Sequence, residues 1–181
     1  MPRVPRRDRT DLPEAYRYLF TDNAVGELDL FRVMGHAPAC MQSYMRFGST
    51  LWEECGLGPR ERELAILATA RALEARYEWH QHVDLGREAG LTMAEIRALG
   101  GEDHAALADR DRAIADYAAA VGRGTVDDGH HRTARAQLSD GTIVGVALLA
   151  AYYVMTARFL DALAIAPEEA FVGWQPDENP P

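Results

Sequence analysis

The run Leu64-Ala65-Ile66-Leu67-Ala68 is apolar on every side of a helix, and no other feature of the chain constrains the fold as strongly. A helix without a polar face must be covered on most of its circumference, so it belongs at the centre of a helical assembly. Pro59, just after Gly56-Leu57-Gly58, suits the first turn of this helix, which the pattern predicts over residues 59–77. Glu63 stands at the edge of its apolar run. A second apolar window, residues 143–157, falls short of the ~20 residues that span a bilayer. It also contains Gly145 and two tyrosines. It reads as a second buried helix, predicted over 142–164, and not as a membrane span.

Helix signals recur through the rest of the chain, while β-branched residues are sparse and strand signals nearly absent. Pro13, with Asp11 as candidate cap, opens a short helix to Phe20, and another is expected over 26–34. Pro38 opens a longer one to Cys55, with Met41, Tyr44, Met45, Phe47 and Leu51 as apolar contacts. The next should cover 78–88 and close at Gly90. Thr92 and Glu95 form a T-x-x-E capping box for a short helix ending near Gly100. A helix over 104–121 is stopped by Gly122-Arg123-Gly124, and Asp127 or Asp128 caps one running through Gln137. The expectation is an all-α bundle of about six to eight helices. A chain of 181 residues suffices for one domain with a substantial core. That domain is placed at 11–166, between a flexible basic arm (1–10, with Arg3, Arg6, Arg7 and Arg9) and an irregular tail (167–181). Phe171 and Trp174 in the tail are candidates to dock on a neighbour.

A net charge of −9 argues against nucleic acid, whose phosphates require clustered Lys and Arg. Cys40 and Cys55 lie in no CxxC motif and read as free thiols in a reducing compartment. The basic, proline-broken N-terminus does not resemble a signal peptide, so a cytoplasmic location is expected.

The chemistry-bearing residues cluster around the central helix. Glu78 and His82 are four apart and share a helical face, where a carboxylate can fix an imidazole tautomer and raise its basicity. Glu63, in a mostly buried helix, needs a partner, and His82 is the natural one. The three are expected to form one polar cluster, although such Glu–His pairs also occur as purely structural hydrogen bonds. His80 points to a different face and suits an interface or the edge of a pocket. Tyr77 is a candidate substrate-binding residue, with core or interface packing as the favoured alternative, and Arg71, with Arg76, is a candidate receiver for an anionic substrate or else simply sits on the wet side of its helix. A divalent ion held by Glu63, Glu78 and His82, or His80, is the rival chemistry at the same residues, but no metal is expected, since neither H-x-x-x-H nor H-E-x-x-H occurs.

Glu63 to Leu67, then Tyr77-Glu78-Trp79-His80-Gln81-His82, then Gly90-Leu91-Thr92-Met93-Ala94-Glu95-Ile96 together resemble the core of the carboxymuconolactone decarboxylase family. The resemblance extends over residues 25–165 and implies the fold of the alkylhydroperoxidase AhpD-like superfamily. In the peroxidase branch, a glutamate, a C-x-x-C pair and a histidine do the work. Glu63 and His82 match the first and last, but the cysteine positions fall on Ala75 and Glu78, which cannot form a thiolate. The resemblance therefore favours the decarboxylase-like branch over a peroxidase. It implies cofactor-independent acid–base chemistry on a small carboxylated lactone or related acid, with His82 as proton carrier held by Glu63 or Glu78. It also implies a homo-oligomer, a trimer or hexamer with a dimer as the alternative, with sites near subunit boundaries. A non-catalytic small-molecule binding or assembly module on the same fold is the further reading.

Overall fold

The structure, a computed structural model, describes residues 2–20 and 28–177. It is all-helical, with no strand among the described residues. In chain order the α-helices are α1 Asp29–Met34, α2 Pro38–Glu54, α3 Pro59–Ala72, α4 Arg76–Glu88, α5 Met93–Gly100, α6 Asp109–Arg123, α7 Asp128–Gln137 and α8 Asp140–Leu163. The expected residues 26 and 27 at the head of α1 lie outside the described residues.

α3 is the axis of the bundle, packed by α4, α5, α6 and α8. Pro59 occupies its first turn, where a missing N–H costs nothing, and every residue from Glu63 to Ala70 is buried. The helix stops earlier than the periodicity predicts, because Glu74 adopts a left-handed φ of 53°. The Ala75 N–H then bonds back to the Ala70 carbonyl at 2.8 Å, closing the end. A non-glycine residue in that conformation leaves no sequence signal. The helix expected from His104 likewise begins late, at Asp109, after a separate 3₁₀ turn over His104–Ala106. The capping box at Thr92 and Glu95 forms as expected, and Asp127 caps α7.

α8 has 24 residues and is, by length and composition alone, able to cross a membrane, longer than the sequence window suggests. In this fold one side of it is core: Ile143, Val146, Leu149, Ala150, Tyr153 and Ala157 join the main hydrophobic cluster with α3 and α6. Its approach to the end of α2 depends on Gly145, where a Cβ would lie 1.8 Å from the Cys55 carbonyl oxygen.

Residues 2–10, expected as a flexible arm, are docked instead. The Arg6 guanidinium pairs with Asp29, which is buried. The Arg3 N–H donates to the Leu163 carbonyl at 2.8 Å, and the Arg7 N–H to that of Arg32 at 2.9 Å. The arginines serve as partners for otherwise unsatisfied acceptors, which holds the segment down. The tail is irregular as expected but docks on its own chain: Trp79 Nε1 donates to the Gly173 carbonyl at 2.8 Å, and Trp174 packs edge-on against Trp79.

Replacing Gly145 by Ala should destabilise the fold by about 1–3 kcal/mol, the usual cost of forcing extra volume into a packed contact. A urea midpoint unchanged from wild type would show that α8 does not approach Cys55 this closely.

Candidate active site

Four helices bring a chain of polar side chains to the rim of one cavity. Glu63, on α3 and 1% exposed, is joined to His82 of α4, with Nδ1 to Oε2 at 2.6 Å. On the other side of the ring, His82 Nε2 lies 3.1 Å from the Tyr153 hydroxyl of α8. Trp52 of α2 donates its Nε1–H to that hydroxyl at 3.3 Å. One set of donors and acceptors satisfies the series: Trp52 N–H to Tyr153 O, Tyr153 O–H to Nε2, and Nδ1–H to the Glu63 carboxylate. Arg62 secures the far end, its Nε donating to Glu63 Oε1 at 3.2 Å and its Nη1 to the Trp52 carbonyl at 2.9 Å. Its guanidinium also lies 4.2 Å from the centre of the Trp52 ring.

Burial pushes the Glu63 pKa up, but His82 and then Arg62 outweigh it and hold the carboxyl below its ordinary value. Burial, followed by the nearby Glu63 charge, drives the Tyr153 phenol well above the usual range. Glu63 is thus an anchored anion and Tyr153 a persistent O–H donor.

The cavity encloses about 470 Å³, with aromatic walls from Phe31, Tyr44, Trp52, Tyr77, Tyr152 and Tyr153. Gly48 lets α2 approach the Tyr152 hydroxyl, since a Cβ there would come within 2.5 Å of it. That hydroxyl donates to the Tyr44 carbonyl at 3.2 Å, while the Tyr44 hydroxyl meets Thr156 Oγ1 at 2.7 Å. The polar positions of the wall include His82, Arg62, Gln81 and Glu78, together with Glu53, Ser49 and Thr156.

The expected trio forms only in part. Glu78 and His82 both border the cavity, yet no hydrogen bond joins them, and Glu78 Oε1 is buried with no partner. Burial is the main reason that its pKa rises to about 8; the backbone N–H of Glu78 opposes the rise and Asp161 adds to it. Glu78 is therefore a neutral acid at neutral pH and not the clamp on His82. Tyr77 lines the cavity, its hydroxyl donating to Glu168 at 2.8 Å.

Arg71 is not at the site. Its Nε donates to the Gly100 carbonyl at 2.8 Å, its guanidinium pairs with Glu102 at 3.3 Å, and it stacks on Trp174. Arg76 lies over Phe171. His80 does not line the cavity, and its buried Nδ1 has no partner. Sequence reasoning missed Tyr153, Trp52 and Arg62. Only Arg62 carried a signal, through its place beside Glu63. Among the described residues, no three His, Cys, Asp or Glu side chains converge as metal ligands.

Residues 38–102, which span α2 to α5, match the model of the carboxymuconolactone decarboxylase family. The fold as a whole is similar to an uncharacterized peroxidase-related protein with an alkylhydroperoxidase AhpD core from Ralstonia eutropha JMP134 (TM-score 0.81, 19% identity, 96% of each chain). It is also similar to a protein of unknown function from Agrobacterium tumefaciens, suggested to be an AhpD antioxidant defence protein (TM-score 0.69, 19% identity, 76% of this chain and 97% of that one). No curated protein matches the sequence significantly. The architecture is thus the AhpD-like helical bundle. The segment matched by the family model carries the Glu63–His82 pair.

The buried acid has a pH signature. Between the ordinary carboxyl value of 4.5 and about 8, folded Glu78 keeps a proton that the unfolded chain has lost. Its contribution to stability therefore falls as pH rises through that window and levels off above it. Thermal melts should show wild type losing more stability across the window than Glu78→Gln. Parallel curves for the two proteins would mean that Glu78 ionises normally.

Proposed function

We propose that the protein is a cofactor-independent acid–base enzyme, carboxymuconolactone decarboxylase-like, acting on a small unsaturated or lactone carboxylate. The supporting observation is the Glu63–His82–Tyr153 chain ending at an aromatic cavity that also presents a neutral Glu78. When such a substrate loses CO₂, the bond to the carboxylate carbon breaks and its electron pair passes into the conjugated carbonyl as a dienolate. That anion needs a hydrogen bond to its oxygen and a proton on carbon. Glu78 suits the first task. For the second, the Glu63 carboxylate supports His82 as an imidazolium, whose Nε2–H donates to the Tyr153 oxygen and frees the Tyr153 O–H for the cavity. Tyr153 delivers that proton to carbon as the Nε2 proton replaces it, and the neutral His82 left behind regains a proton from solvent.

Arg62 replaces Arg71 as the receiver of a substrate carboxylate. It borders the cavity, and its Nη2 makes no hydrogen bond among the described residues. Self-association, which the family resemblance implied, is supported by an exposed apolar stripe along α8 formed by Val144 (57% exposed), Leu148 and Met155 (50%).

The peroxidase reading draws on the names of the structural neighbours. Against it stand Ala75 and Glu78 at the positions of the redox pair. Cys40 is exposed and Cys55 buried, and neither lines the cavity.

With carboxymuconolactone and related lactone acids as substrates and CO₂ release as readout, His82→Gln and Tyr153→Phe should each lower kcat by about 10²–10⁴. A His82→Gln protein that is less stable but fully active would sink the assignment. Peroxide turnover with a dithiol reductant should be absent. Turnover that Cys40→Ser or Cys55→Ser abolishes would instead favour the peroxidase.

A further inference from the structure

A second cavity of about 310 Å³ lies on the other side of Tyr77 and Glu78, which border both spaces. Its volume is at the small end of the range for ligand pockets, about 300–1,000 Å³. Its apolar lining comes from Ala157 and Leu160 of α8, together with Ile165 and Phe171 of the chain that follows. Its polar lining is strongly one-signed: Glu74, Glu78, Asp161 and Glu169 against the single Arg76.

The carboxylates of Glu74, Asp161 and Glu169 are poorly neutralised from within the protein. Arg76 is drawn aside over the Phe171 ring, 4.4 Å from its centre. Glu74 reaches Arg71 only at 3.9 Å, and Asp161 reaches Arg158 at 3.6 Å on the exposed surface. No ion pair or hydrogen bond engages the Glu169 side chain among the described residues. Independently of this charge pattern, Glu78 is only 3% exposed and its Oε1 has no hydrogen-bond partner. A carboxyl oxygen buried without a partner is a costly arrangement, and an ammonium N–H would relieve it by holding Glu78 as the carboxylate.

We propose that this cavity binds a small organic ammonium ion, with its N–H groups directed to Glu78 and Asp161 and its apolar body against Leu160 and Ile165. A metal ion fits less well, since no three ligating side chains converge among the described residues. An anion would meet three to four carboxyl groups, and a neutral molecule would leave their field unused. The site shares Glu78 with the aromatic cavity, whereas Glu74, Asp161 and Glu169 border only the second space, so Asp161→Asn tests it without touching the proposed acid–base machinery.

Three probes of matched size separate the possibilities: benzylammonium, benzyl alcohol and benzoate, titrated into the isotope-labelled protein and followed by amide NMR. Saturable benzylammonium shifts are expected at Ala157, Leu160 and Asp161, with the other two probes about tenfold weaker or more. Asp161→Asn, a change at an exposed position, should weaken benzylammonium by about two- to fivefold. Glu78→Gln should weaken it by about tenfold. Equal affinity for all three probes, or no benzylammonium binding, would overturn the proposal. So would shifts confined to Trp52 and Tyr153, or affinity unchanged in both variants.

Discussion

The hydrogen bond between Glu63 and His82 is the contact on which the arrangement of helices depends. α3 is enclosed on all sides, so a carboxylate within it has no water to turn to and must be satisfied by its neighbours. His82 and Arg62 provide that satisfaction, and each does so from a defined direction. Removing one partner of such a buried pair typically costs about 3–5 kcal/mol, because the other charge is stranded. The bond also sets the rotation of α4 about its axis, which in turn presents His82 Nε2 to Tyr153. From there the same series of hydrogen bonds passes to Trp52, so α2, α3, α4 and α8 are held in register by polar groups inside an otherwise apolar core.

Much of this was legible in the chain. The central position of α3 followed from its lack of a polar face, and the cap of α5 from two residues at fixed spacing. The pairing of Glu63 with His82 followed from the requirement that a buried carboxylate find a partner. What escaped was of two kinds. Tyr153 is 71 residues from His82, and no local pattern marks one tyrosine of a core helix over another. The sequence expectation falls on Arg71 and does not include Arg62, although both lie on α3. Nine residues apart at about 100° per residue, they sit on opposite faces, and the aromatic cavity lies on the side of Arg62. Glu78 illustrates the limit of spacing arguments: it shares a face with His82 but makes no bond to it.

The terminal segments show how charge can mislead when read as composition. A run of arginines among prolines suggests a solvated arm. Here the same guanidinium and backbone groups complete Asp29 and the end of α8. At the other end, Trp79 and Arg97 each donate to a carbonyl of the tail. Both segments are therefore integral to the domain, held by polar contacts to groups that would otherwise lack partners.

The thin partition formed by Glu78 has a thermodynamic consequence. A titratable group standing between two chambers makes its proton a property of both. Anything that settles on one side and prefers the carboxylate draws the proton away, and anything on the other side that prefers the acid is then held less tightly. Reciprocity requires the same free energy in the opposite direction. Two spaces that share no other lining residue but Tyr77 are thus coupled through a single hydrogen atom, without any movement of the backbone.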